Sequence, residues 1–113
     1  MESILTSIKK MLGITEEYTH FDPDIIMHIN SVFMILNQLG VGPDKCFYIE
    51  DDTSTWDEFL GDPTDLPAVK SYMGMKVRLL FDPPASSTVM QAMKDTINEF
   101  EFRLNIAVDP YKS

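Results

Sequence analysis

The stretch Asp22-Pro23-Asp24-Ile25-Ile26-Met27-His28-Ile29-Asn30-Ser31-Val32-Phe33-Met34-Ile35-Leu36-Asn37-Gln38-Leu39-Gly40 decides the fold. Asp22 suits an N-cap, Pro23 the first helical position, and Asp24 complements the positive end of a helix dipole. Ile25, Ile29, Val32, Phe33, Leu36 and Leu39 then recur at helical spacing and form one core-facing stripe. Gly40 ends the helix, and Gly42-Pro43 reinforces the stop.

The same punctuation divides the rest of the chain. Upstream, Ile4, Leu5, Ile8, Met11 and Leu12 give a short apolar stripe with Gly13 as C-cap. A helix this short is marginal alone, so residues 1–13 are expected to dock on the body. Downstream, Leu66, Val69, Met73, Val77, Leu80 and Phe81 make the main stripe of a third long helix, with Pro67 in its first turn. Tyr72, Met75 and Leu79 widen that stripe, which suits a central helix, and Asp82-Pro83-Pro84 breaks it. A fourth starts with Ser86 or Ser87 as N-cap. It carries Val89, Met93, Ile97, Phe100, Leu104 and Ala107 at near coiled-coil rhythm until Asp109-Pro110. Residues 109–113 are expected to be a flexible tail.

Residues 44–65 read as an irregular, acidic connector. Cys46-Phe47-Tyr48-Ile49 has strand propensity but no obvious partner strand. Thr55-Trp56-Asp57-Glu58 fits a capping box, predicting one helical turn that carries Trp56, Phe59 and Leu60. The expectation is one all-α domain over residues 1–113: a small helical bundle of about four helices with an irregular acidic middle loop.

Composition supports a folded domain, since 44% of the 113 residues are hydrophobic and 24% charged. No stretch is long enough to span a membrane, and no signal-peptide pattern opens the chain, so no membrane role is expected. Net charge is −9, with 18 acids against 9 bases, which opposes attraction to phosphate backbones. Glu50, Asp51, Asp52, Asp57, Glu58, Asp62 and Asp65 follow one another with no Lys or Arg between them. Such a run ordinarily forms a solvated surface.

Chemical motifs are scarce. His20 and His28 lack any metal-ligand spacing around them, and His28 falls at the edge of its helix's apolar stripe. Cys46 has no partner for an intramolecular disulfide and no signature motif, which predicts a buried or inert thiol. Glu50-Asp51-Asp52 lacks the alternating ligand spacing of a calcium loop. Gly40-Val41-Gly42 follows a helix instead of preceding one, the reverse of a phosphate loop. The reading is a non-enzymatic protein with no catalytic, cofactor or metal residues.

What stands out instead is apolar surface. On a helical wheel Met27 and Met34 fall opposite the core stripe of their helix, and Phe102 and Ile106 fall off the seam of theirs. These four residues are the expected subunit or partner interface, because Met and aromatic side chains are enriched at such contacts. Two patches on different helices suit head-to-tail association into a closed ring.

Tyr18-Thr19-His20-Phe21-Asp22-Pro23-Asp24-Ile25-Ile26, Ile29-Asn30 and Asn37-Gln38-Leu39-Gly40-Val41-Gly42 resemble segments of the small connector proteins of long-tailed phages and prophages. So do Thr55-Trp56-Asp57-Glu58-Phe59-Leu60-Gly61, Val69-Lys70-Ser71-Tyr72-Met73 and Lys76-Val77-Arg78-Leu79-Leu80-Phe81-Asp82-Pro83-Pro84. Glu99-Phe100-Glu101-Phe102-Arg103-Leu104-Asn105 completes a likeness that covers roughly Tyr18 to Pro110. The resemblance implies a helical adaptor, made in the bacterial host cytoplasm and resident in the virion. It implies a dodecameric ring of copies beneath the portal protein, bound also to head-closure (stopper) or tail proteins. DNA would pass through the channel without specific binding. Glu50, Asp51 and Asp52 are then candidates to face that channel and discourage the duplex from adhering. The competing reading is a small acidic DNA-mimic inhibitor of a host nucleic-acid-binding protein, whose acids should spread over one long face.

Overall fold

The computed structural model describes residues 2–61 and 65–108. Five helices follow in order: α1 (Ile4–Met11), α2 (Asp22–Gln38), α3 (Trp56–Phe59), α4 (Leu66–Phe81) and α5 (Ser87–Val108). No strand occurs among the described residues. The all-α expectation therefore holds, as the short α1, three long helices and the single turn foreseen at Thr55–Glu58. The expected flexible tail, residues 109–113, lies outside the described residues.

Each helix end has a local cause. Ser3 caps α1 by accepting the Thr6 N–H at 3.2 Å. At its other end the Ile14 N–H reaches the Lys9 carbonyl (2.9 Å) and the Gly13 N–H reaches that of Lys10 (3.1 Å). This Schellman arrangement needs the left-handed backbone that Gly13 adopts at φ +79°. Helix α2 ends the same way, through Val41 N–H to the Leu36 carbonyl and Gly40 N–H to that of Asn37. Val41 is buried as a result, so the motif seals the core as it stops the helix.

The start of α2 departs from expectation. Asp22 is the first helical residue, and Phe21 holds the N-cap position without a side-chain bond. The carboxylate is committed elsewhere: Asp22 Oδ1 sits 2.9 Å from the ammonium of Lys9, which is only 2% exposed. Lys9 also donates to the Glu16 carbonyl at 3.0 Å. A buried lysine needs such partners, because an unpaired charge in the core is strongly destabilising. The pair joins α1 to α2 and gives the expected docking of the N-terminal helix a physical basis.

The segment between α2 and α4 is irregular but not loose. The Asn30 carboxamide brackets Ile49, its Oδ1 accepting the Ile49 N–H at 2.8 Å and its Nδ2 donating to the Ile49 carbonyl at 3.0 Å. One side chain thus replaces the partner strand that Cys46–Ile49 lacks. Further on, Ile4 N–H donates to the Ser54 carbonyl and Trp56 N–H to that of Glu2, an isolated bridge between the chain start and α3. The buried Trp56 indole donates to Ser7 Oγ at 3.0 Å. Within α3 the Glu58 carboxylate reaches back to the Thr55 N–H at 2.8 Å. Phe33, Phe47 and Phe59 pack as an aromatic triad with centroids 4.7–5.5 Å apart.

Helix α4 is central, packing against α1, α2 and α5. Val69, Met73 and Val77 face the core as expected, but Tyr72 is fully buried while Leu80, placed in the main stripe from sequence, is 53% exposed. The wide apolar stripe allowed either rotation. Tyr72 is drawn inward because its hydroxyl finds the Glu101 carboxylate of α5 at 2.6 Å. Burial, reinforced by Glu101, pushes that hydroxyl far above its ordinary pKa, so it stays a proton donor. Helix α5 returns after the Asp82–Ser86 turn and buries Ile97 and Leu104, whereas Val89 at its start and Met11 at the end of α1 are exposed.

Two substitutions test this scheme. Asn30→Ala leaves both backbone groups of buried Ile49 unpaired and should cost about 2–4 kcal/mol in chemical denaturation. A loss below about 0.5 kcal/mol would mean that water or another group readily replaces the carboxamide. Gly42→Ala should be far worse than Gly13→Ala. Both backbones are left-handed, but a Cβ at Gly42 would lie 2.4 Å from Phe59 Cε1 while one at Gly13 meets nothing within 4 Å. Equal melting temperatures for the two variants would contradict the close packing of Phe59 under Gly42.

Candidate assembly surfaces

No group of three or more His, Cys, Asp or Glu is placed to hold a metal ion among the described residues. His20 and His28 pack against aromatic rings, at 4.9 Å from Phe21 and 6.4 Å from Phe81 respectively. His28 is half-buried, as its position at the stripe edge suggested. Cys46 is exposed, correcting the expectation of burial. Its neighbours Phe47 and Ile49 take the inward positions of that extended stretch, and its Sγ–H lies only against the Phe47 carbonyl.

Helices α2 and α5 each pack extensively against α4, which lies between them. They meet near their C-terminal ends, where Asn105 Nδ2 donates to the Leu39 carbonyl. The body measures 44 × 35 × 19 Å, so along its short axis it is about two helices thick. Met27 and Met34 are 57% and 58% exposed on the α2 surface opposite its buried stripe. Phe102 is 65% exposed, half a turn from the buried row of Ile97, Phe100 and Leu104 on α5. Met27, Met34 and Phe102, all singled out from sequence, therefore stand exposed on two different helices. Ile106 is half-buried instead of open, because the Asn105 contact draws that end of α5 toward α2.

Charge sharpens the difference between the two helices. From Ile25 to Pro43 there is no Asp, Glu, Lys or Arg, so the exposed face of α2 beyond its first turn bears no formal charge. Depletion of charge with enrichment of Met is the composition of an interface core. Helix α5 carries the Arg103–Glu99 pair beside Phe102, and Lys76 of α4 lies 3.5 Å from Glu101.

Two features escaped the sequence reading. Met27, Leu79 and Leu80 line an open groove between α2 and α4, which depends on the rotation of α4 that exposes Leu80. On another side, Met11, Met75, Met93 and Phe100 line a second groove above Gly74, with Arg78 on its lip. The Met11 thioether fills the space a Cβ at Gly74 would need. Only the relative placement of three helices brings these side chains together.

Glu50, Asp51 and Asp52 are exposed and border a shallow groove with Leu5, Thr19 and Pro23. Asp51 accepts the Thr53 N–H at 2.9 Å and the Thr53 hydroxyl at 2.5 Å. These bonds hold its carboxyl below the usual aspartate range. The acids sit on a turn built just after the Asn30–Ile49 clamp, and are presented from fixed backbone.

No described helix is long and apolar enough to cross a membrane. Comparison with curated proteins and with solved structures gave no match to the chain. The model of a family described as "Phage connector protein" matches residues 4–111, nearly the whole chain. The chain belongs to the phage connector protein family, a family of structural proteins, and its all-helical body agrees with that membership.

Proposed function

We propose that this phage connector-type structural protein is the subunit of a head–tail ring beneath the portal, joining portal to head-closure or tail proteins. Within the ring, Met27 and Met34 of one copy face Phe102 and the adjoining Ile106 of the next. The observation that supports this is the exposure of Met27 and Met34 on α2 and of Phe102 on α5, two apolar patches on different helices. Head-to-tail docking of one patch on the other then repeats with one rotation and closes. The uncharged α2 face also lets copies of a chain with net charge −9 meet without opposing carboxylates.

Glu50, Asp51 and Asp52 line the lumen in this reading. Repeated around a ring, they repel the duplex over roughly one Debye length, about 8 Å at physiological salt. DNA passes without specific contact. The ring extends the portal channel and supports retention of the packaged genome, and dodecameric symmetry matches that of the ring the family resemblance implies.

Purified chain mixed with its portal protein should give rings on portals by negative-stain imaging. Phe102→Asp or Met34→Asp should each abolish them while leaving helical circular dichroism unchanged. Persistence of rings in both variants would refute this interface. Separately, Asp51→Asn with Asp52→Asn should slow DNA ejection from particles. Unchanged ejection kinetics would leave these acids as ordinary solvated surface.

A further inference from the structure

A second apolar surface adjoins the Met27 groove through His28 and Leu80 and extends away from it. Where the α1–α2 loop crosses the end of α4, aromatic rings form a continuous chain. Tyr18 packs 5.8 Å from Phe21, and Phe21 lies edge-on to Phe81 at 5.3 Å. His20 and His28 flank the chain at 4.9 Å from Phe21 and 6.4 Å from Phe81. Tyr18, Phe21 and the neighbouring Leu80 are all exposed. Contiguous aromatic surface of this kind is characteristic of a protein-binding hot spot.

The rim of this patch is predominantly acidic. Glu16, Glu17, Asp24 and Asp82, adjacent in the chain to its rings, are exposed, and Glu50, Asp51 and Asp52 border a neighbouring groove with Thr19 and Pro23. No Lys or Arg occurs from Met11 to Asp44. Lys9 is buried against Asp22, Lys76 lies beside Glu101, and the exposed Arg78, one turn before Phe81, borders the separate groove of Met11, Met75 and Met93. Two copies meeting through this surface would oppose like charges, which costs affinity and disfavours self-association here.

We infer that the Tyr18–Phe21–Phe81 end docks an apolar segment flanked by Lys or Arg, belonging to a different protein from this chain. Aromatic rings bury the apolar side chains, and the carboxylate rim pairs with the flanking cations and selects against acidic segments. This rests on the connector reading only in taking the partner to be another protein of the virion. It separates the two kinds of contact a connector makes: the uncharged α2 face for copies of itself, an acid-rimmed aromatic end for a neighbour above or below.

The probe is a synthetic amphipathic helix of Leu and Lys, compared with the same helix carrying Glu for Lys, each titrated into the full chain by NMR. The Leu/Lys helix should shift resonances of Tyr18, Phe21 and Phe81, and the Leu/Glu helix should not. Tyr18→Ser should weaken binding roughly tenfold. Glu16→Lys with Glu17→Lys, which leaves the packing untouched, should do the same and reduce the salt dependence. Equal binding of both helices, no binding, or shifts confined to the exposed face of α2 would overturn the inference. Ring formation on the portal should survive these substitutions. Its loss in them alone would make this end a copy-to-copy surface and sink the inference. Absence of rings in the unmodified chain would refute the ring proposal and leave this test standing.

Discussion

Backbone groups buried without partners are costly, and an extended segment in a helical protein has no sheet to supply them. The Asn30 side chain resolves this for the stretch after α2, accepting one hydrogen bond from Ile49 and donating another to it. Much else follows from that clamp. With Ile49 fixed, Phe47 joins Phe33 and Phe59, and the chain arrives at Ser54 and Thr55 in position to pair with the start of α1. Trp56 is then placed to bond Ser7 and to lie beneath the Lys70 ammonium, 5.7 Å from its ring. A segment with almost no regular structure thereby contributes Val41, Ile49, Trp56 and Phe59 to the core.

Periodicity and punctuation made the helices legible. Leu66–Phe81 matches the expected span, and the glycine stops after α1 and α2 occur as read. What periodicity leaves open is rotation and partnership. Helix α4 is apolar over most of its circumference, so choosing Tyr72 over Leu80 for the core needed the Glu101 partner on another helix. Asp22 looked like a cap because local chemistry allows it. A lysine thirteen residues earlier claimed the carboxylate, and no local rule registers that pairing. The strand propensity of Cys46–Ile49 was real, but its partner was a side chain.

The assembly surfaces were partly legible for the same reasons. Met27, Met34 and Phe102 stand off their helices' buried rows, and a helical wheel detects that directly. Ile106 has the same register, yet the tertiary contact at Asn105 half covers it. The aromatic end and the Met-lined groove combine residues far apart in the chain, so only the packed bundle reveals them. Membership of the phage connector protein family gives these surfaces their context: a protein whose work is contact, with neutral and acidic regions kept apart.

Together these features describe a body whose middle segment is as fixed as its helices, so that the acidic turn is preformed before any partner arrives. Amide hydrogen exchange at Ile49 tests this most directly. The clamp predicts that the Ile49 amide exchanges only through global unfolding, with protection equal to that of Val32 and Phe33 in α2. Exchange of Ile49 at the rate of an open loop, while α2 stays protected, would show that the segment is not pinned and that the surfaces built on it are not preformed.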